Sequence, residues 1–388
     1  MSRRGSPACT TLAALGIIAM LAAVATSARA QIIHGQNPEM SQRLTYMSWK
    51  VSGDEEFTLQ EWHVPLTIRS GLAENVELAV TGAVVSASAD WPSAGDPISG
   101  LTDAKAQVAA SLMGDQVLLA GGVSLPTGQK KLSRDQQELL SWLSSDFLNF
   151  PLKNPGEGIN LFGQAGLALP AGQWVVGASA ALYLAGTYEP YDNGREYQPG
   201  SRLVGGIGAE RIWPANHRLT CDLLVIYSTN DKLDGEAVFR DGVQFDARLA
   251  GVVALGRGAL EGGLRYIQRG KDKQPGPAED LIAETDKRHG DDFRLHAAGR
   301  MPVGQSVSGW LSVDAKFLAA NDYPKASPFF EDAAHLAGFG GGLDLALGLR
   351  ARAGFGARVW TGSSDGAQGL GAIDLSGLEV LQHFVVTF

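Results

Sequence analysis

Seven arginines, Arg265, Arg269, Arg294, Arg300, Arg350, Arg352 and Arg358, stand in otherwise apolar segments of the C-terminal half of this chain. Within each segment the arginines are an even number of residues apart and out of step with their apolar neighbours. In an extended chain that spacing puts charge on one face and grease on the other. Glu61, Glu77 and Asp103 hold the same kind of position in the N-terminal half. Guanidiniums and carboxylates facing each other across water would set up a transverse field that orients dipolar solutes and favours anions on the basic side. The same arginines could instead pair with Asp246, Glu261, Asp314 and Asp344 and only stiffen a wall. The sequence leaves both readings open.

A second group of candidates lies in the long stretch Gly128 to Gly158. Leu139, Leu140, Trp142, Leu143, Phe147 and Leu148 recur at helical rather than strand spacing. Asp135 and Glu138 fall in the first turns, where a helix dipole favours acids. Folded into a lumen, this segment would place Asp135, Glu138, Trp142 and Asp146 as a constriction. The alternative is a helix lying over the mouth or packed on its own apolar face.

Catalysis finds little support. His63, His296 and His383 sit on polar phases, and none stands beside a serine in a recognisable motif. There is no H-E-x-x-H and no phosphate-cradling glycine loop. The acidic stretch Lys271 to Asp292 lacks the spacing of a calcium loop. No covalent chemistry, metal or cofactor is expected.

The elements that must position these residues are strands. Trp174 to Leu184 alternates Trp174, Val176, Ala178, Ala180, Leu182 and Leu184 with its other phase. In Val307 to Phe317, Ser308, Asp314 and Lys316 oppose Val307, Leu311, Val313 and Phe317. A lysine or arginine facing lipid at mid-membrane costs roughly 2–4 kcal/mol, which sorts charges onto one phase. Arg211 lands on the apolar phase, but beside a turn, where it can reach the interface. Tight turns (near Gly114, Gly172 and Gly348, for example) take turns with long polar loops, the asymmetry of a transmembrane barrel. The predicted fold is all-β: a transmembrane antiparallel up-and-down β-barrel of about sixteen strands, with a helical insertion after the fifth. Fourteen strands is the alternative.

The last stretch, Leu378 to Phe388, has Leu378, Val380, Phe384, Val386 and Phe388 on one phase, interrupted by Gln382. It resembles the closing strand of bacterial outer-membrane barrels. That resemblance implies that Phe384, Val386 and Phe388 form the membrane-insertion signal read by the barrel-insertion machinery. At the other end, Arg3 and Arg4, the apolar run Leu12 to Val24 and Ala28-Arg29-Ala30 read as a signal peptide over residues 1–30, cleaved before Gln31. Residues 31–388 form the expected barrel domain. The net charge is −9, and becomes −12 once Arg3, Arg4 and Arg29 leave with the leader. That balance argues against nucleic acid as a partner. Cys221 is the single cysteine after the leader, so no internal disulfide forms. Glycine, 49 of 388 residues, is well above the usual ~7% and suits a crowded, curved sheet.

Three phrases carry a family resemblance. Ser70-Gly71-Leu72-Ala73-Glu74-Asn75-Val76-Glu77-Leu78 resembles a turn-and-strand, Gly100-Leu101-Thr102-Asp103-Ala104 a strand start, and Gly122-Val123-Ser124-Leu125-Pro126-Thr127-Gly128 a strand end. Together they are similar to the outer-membrane transporters associated with phenol meta-cleavage pathways, within the wider fatty-acid and aromatic-hydrocarbon group. The resemblance implies passage of small hydrophobic or amphipathic compounds. The segment between Gln31 and Leu44 is too short for the amino-terminal plug of fatty-acid transporters, and the charged lumen points toward general diffusion. The expected function is therefore an outer-membrane channel or transporter for passive passage of small amphipathic or aromatic solutes. Its expected partners are outer-membrane lipid, the insertion machinery and the solutes. A non-conducting barrel that binds a partner through its loops, or a barrel hydrolase, are the alternatives.

Overall fold

The alternation resolves into one closed antiparallel sheet. The computed structural model describes residues 37–388 apart from 55, 92–95, 191–193, 278–279, 328 and 367–370, so the expected leader and its cleavage point lie outside the described residues. The first eight strands are β1 (Glu39–Ser52), β2 (Glu56–Ala73), β3 (Val76–Asp90), β4 (Ile98–Leu101 and Ala104–Leu112), β5 (Val117–Leu125), β6 (Asn160–Ala171), β7 (Trp174–Leu184) and β8 (Arg202–Ile212). The second eight are β9 (Arg218–Ser228), β10 (Gln244–Leu255), β11 (Gly258–Arg269), β12 (Asp292–Pro302), β13 (Val307–Leu318), β14 (Ala334–Ala346), β15 (Ala351–Ser364) and β16 (Ile373–Thr387). Each pairs with the next, and β16 returns to β1 in an unbroken register from Glu39↔Thr387 to Ser52↔Asp374. The result is a closed barrel of sixteen strands. Lipid offers no hydrogen bonds, so closure is the condition for a sheet to span it.

The short connections lie at the end where β1 begins and β16 finishes. Gly172 and Gly256 adopt φ of +66° and +61° there, the left-handed geometry that two-residue hairpin turns require. The long connections lie at the opposite, outer end. Three of them carry small sheets: Tyr197–Gln198 of the β7–β8 connection pairs with Asp231–Leu233 of the β9–β10 connection, which also pairs with Glu236–Phe239, and Lys273–Pro275 pairs with Leu281–Ala283 in the β11–β12 connection. The sequence reads these stretches as plain polar loops, because strands so short carry almost no periodic signal. The terminal strands are also longer than their apolar periods, starting at Glu39 and Ile373 rather than Leu44 and Leu378.

Outward phases are apolar and exposed, as with Ile68, Val84, Ile207, Leu264, Leu311 and Phe355. A water-soluble protein would hide such a belt; lipid covers it here. Arg211 is the exception that tests the rule. Its guanidinium lies 4.6 Å from the Trp213 ring and 5.7 Å from Trp174, and it donates to Gln173. Those aromatics mark the interface at the turn end, where the charge reaches water.

Inward phases explain the glycine. Trp49 lies against Gly377, Trp360 against Gly338, and Trp310 across Gly342 and Gly356, where a Cβ would come within 3 Å of each ring. Indoles laid flat on the wall thus need glycine beneath them. Near the outer loops the inward phase turns apolar, while the outward phase carries polar residues such as Ser48, Lys50, Thr58 and Gln60. Met47, Trp49, Val51, Phe57, Leu59, Val85, Ile98, Leu336, Trp360, Ile373 and Leu375 point inward and are buried. That apolar inner surface has a partner, described below.

Closure can be tested directly. In a Cys221→Ser background, Met40→Cys with Val386→Cys places thiols on directly paired residues of β1 and β16. Oxidation should then produce a nearly circular chain with altered mobility on a denaturing, non-reducing gel. A mobility identical to that of the reduced form would mean that these two strands are not adjacent.

Candidate functional site: a loop seated across the lumen

The segment between β5 and β6 enters the barrel. Its helix α1 (Arg134–Leu143) starts at Ser133, whose hydroxyl accepts from Gln136 N–H while the Gln136 side chain accepts from Ser133 N–H. This reciprocal cap fixes the helix start. Leu139, Leu140 and Leu143, with Leu132, Leu148, Phe150 and Leu152, form one buried cluster with the apolar inner wall. Full burial of a leucine or phenylalanine is worth about 1.5–3 kcal/mol, so the seating is firm. Trp142 packs edge-on against Phe57, ring centroids 5.1 Å apart. It therefore faces the wall rather than a pore. Gln136 also donates to the Pro97 carbonyl, tying the helix to the neighbouring loop.

The two stems of the loop meet at a neck. Asp103 accepts from Gly128 N–H at 2.9 Å through one oxygen and from Glu157 N–H at 2.8 Å through the other. Thr127 Oγ1 accepts from Ala104 N–H and donates to the Thr102 carbonyl, both at 2.8 Å, filling the break in β4. Gly128 is packed so tightly that a Cβ would lie 1.9 Å from the Pro155 carbonyl oxygen. Asp103, expected on the acidic side of a pore, is instead the clamp of this neck. The reason is chain geometry: its strand breaks where the loop stems leave and return.

The far side of the loop reaches the basic wall. Asp146 pairs with Arg269 at 3.2 Å and with Lys153 at 3.4 Å. Lys316 donates to the Phe147 carbonyl at 3.1 Å, and Lys153 donates to the Ser144 and Ser145 carbonyls at 3.2 and 2.9 Å. Burial works to raise the Asp146 carboxyl, but Lys153, Arg269, Arg294 and Arg265 outweigh it and hold it below the usual carboxylate range. The loop thus spans the lumen from an apolar wall to a charged one. Glu61 sits under it, wholly buried, accepting from Leu152 N–H at 2.8 Å. It lines no aqueous path, contrary to the sequence expectation, because the loop covers it. Asp135 and Glu138 are on the exposed face of α1.

The arginine wall is interleaved with acids. Asp246 receives both Arg248 and Arg265, Asp292 receives Arg294, and Arg358 bridges Asp314 and Glu379 at 3.0 and 2.9 Å. Pairing therefore accounts for Arg265, Arg294 and Arg358. Arg300 differs: it meets Asp344 at 3.4 Å with its side chain still 64% exposed. It stands beside Trp310, its direct partner on β13. Arg352 lies on the same inward phase of β15, near the turn end. Arg350 falls in the turn before β15 instead of on the wall, because β14 stops at Ala346. Glu77 is half-buried on the inward phase of β3. Phe384 and Val386 face outward on β16, and Phe388, exposed, donates its N–H to the Pro38 carbonyl at 2.8 Å. Sequence reasoning missed Lys153, Lys316 and Asp292. It also missed the apolar inner wall, whose signal was the run of apolar residues on the inward phase of β1 and β2 near the loops, Met47, Trp49, Val51, Phe57 and Leu59, alternating with polar ones.

No protein-family model matches the chain, and no curated sequence matches it. Solved structures do. OprB of Pseudomonas putida, in its high-pH form, aligns over 90% of this chain and 94% of its own, at 8% identity and a TM-score of 0.53. OccK7 of Pseudomonas aeruginosa aligns over 91% and 100%, at 11% identity and a TM-score of 0.43. A FadL homologue of Pseudomonas aeruginosa aligns over 94% of both chains, at 8% identity and a TM-score of 0.44. The class defined by this fold is the outer-membrane β-barrel.

Two substitutions report on the seat. Gly128→Ala forces a methyl into the Pro155 carbonyl and should cost about 1–3 kcal/mol at the neck. Limited trypsin digestion should then cut the loop at Lys130, Lys131 or Lys153 about tenfold faster than in the unmodified protein. Asp146 contributes through a lowered carboxyl, so its stabilisation is complete above the ordinary carboxylate range and is lost as pH falls through the lowered value. Asp146→Asn should therefore loosen the loop at neutral pH and flatten its acid response in the same assay.

Proposed function

We propose that this protein is a channel for passive passage of small amphipathic or aromatic solutes across the outer membrane, narrowed by the seated loop. The observation that carries this reading is the loop itself, fixed to an apolar wall by α1 and to a basic wall by Asp146 on Arg269 and by Lys316 on the Phe147 carbonyl. The loop covers only part of the inner wall, since Arg300 on β12 keeps its side chain 64% exposed. On that wall Trp310 presents a flat aromatic face next to the exposed Arg300. An aromatic plate beside a guanidinium suits solutes with one ring and one polar group.

The resemblance to transporters associated with phenol meta-cleavage pathways supports the aromatic part. Two of its three phrases, Gly100 to Ala104 and Gly122 to Gly128, supply Asp103, Thr127 and Gly128, the parts of the loop neck. The third is the turn between β2 and β3. Two of the three phrases thus fall on the neck of the proposed constriction. Glu77, Arg300 and Arg352 are the wall residues assigned to contact with passing solutes, and Phe388 with its neighbours to membrane insertion.

Liposome swelling tests this. Reconstituted protein should admit neutral and aromatic solutes at measurable rates, and removal of Lys131 to Pro155 should raise those rates several-fold. Impermeable liposomes with the complete protein, together with no planar-bilayer conductance, would favour a barrel that works only through its outer loops.

A further inference from the structure

A cavity of about 150 Å³ lies between the returning stem of the loop and the inner wall, lined by His63, Asp103, Lys105, Ser124, Lys153 and Glu157. One water needs only about 10–15 Å³, so the space fits a small organic molecule. Its polar groups divide into those already engaged and those still available. Asp103 accepts one backbone N–H on each oxygen, and Glu157 accepts from Asn154 and Asn160 at 2.9 and 3.2 Å. Lys153 is committed to two carbonyls and to Asp146.

Two groups remain. Ser124 is 2% exposed, and its hydroxyl has no hydrogen-bond partner. Lys105 makes no ion pair within 4 Å among the described residues. The two residues are directly paired across β4 and β5, with side chains on the same inward face. Directly opposed residues hold their Cβ atoms about 4.5–5.5 Å apart, close enough for an ammonium and a hydroxyl to converge on one small group. A buried hydroxyl without a partner is uncommon and calls for an occupant. Burial also pushes the Glu157 carboxyl up, which weakens the acid nearest this cation.

We propose that this cavity binds the carboxylate of a small organic acid, with Lys105 and Ser124 as its donors and the apolar stem around Leu152 receiving the rest of the molecule. A cation is a poorer fit, since every oxygen of both carboxylates already accepts a hydrogen bond from the loop or from Asn160. The site rests on the channel reading only for its role: a holding point beside the constriction that would select acids among passing aromatic solutes.

Titration calorimetry on the full-length protein in detergent, with sodium benzoate as probe and benzyl alcohol as its neutral counterpart, tests this assignment. Benzoate should bind saturably and benzyl alcohol at least tenfold more weakly. Lys105→Gln should weaken benzoate by about tenfold, the usual worth of one charge-assisted hydrogen bond, while Lys105→Arg retains most of the affinity. Ser124→Ala, nearly isosteric and so safe for folding, should weaken it several-fold. Heat-modifiable gel mobility confirms that each variant is folded. Equal binding of benzoate and benzyl alcohol, benzoate binding unchanged in both Lys105→Gln and Ser124→Ala, or equally tight binding of inorganic phosphate would overturn the assignment. Bilayer conductance separates this from the channel reading. Conductance without benzoate binding sinks the site alone, and Lys105-dependent binding without conductance sinks the channel alone.

Discussion

A sheet that crosses lipid must pair both of its edges, and the register of Glu39–Ser52 against Ile373–Thr387 meets that requirement. Once closed, every side chain has only two destinations, the lipid or the lumen. Outward positions favour apolar groups; the exceptions include Gln382 within the belt and charges at the rim such as Arg211 beside Trp213. Inward positions are free to carry anything. The functional content of the chain is consequently confined to one phase of its strands and to whatever enters the barrel from its ends.

What enters is the loop after β5, and its seating solves a problem that closure creates. A barrel of sixteen strands encloses more space than its own wall side chains fill. The apolar residues of β1, β2, β3, β14, β15 and β16 in the outer half would face water if nothing covered them. Helix α1 covers them, and the loop then continues to the opposite wall, where Asp146 finds Arg269 and Lys316 reaches the Phe147 carbonyl. One side of the seat is non-directional and insensitive to salt; the other is electrostatic. Asp103 joins the two stems so that the intrusion behaves as one body.

The charges on the wall show how a single residue type divides its labour. Arg265, Arg294 and Arg358 lie against Asp246, Asp292, Asp314 and Glu379, where pairing offsets the cost of partial burial. Arg300 keeps most of its side chain in the open. Depth along the strand decides between these roles. Arginines near the loop meet acids and the loop itself, whereas Arg300, near the turn end, stays largely exposed on the inner wall. Trp310, lying flat on Gly342 and Gly356, adds an aromatic surface to that wall.

Much of the barrel was legible in the one-dimensional pattern: the two-residue period, the alternation of tight and long connections, the even strand number and the helical insertion after the fifth strand. These follow from local chemistry, since lipid sorts residues one at a time. The burial of Glu61, the neck clamp at Asp103, the wall-facing Trp142 and the placement of Arg350 in a turn were not legible. Each depends on which distant segment lies opposite, and periodicity carries no information about that. The same holds for Lys105 beside Ser124, nineteen positions apart in the chain and paired only through the register of β4 and β5. Phase, read from sequence, says which residues face inward; only closure and the seating of the loop decide which of them meet water, which meet each other and which are covered.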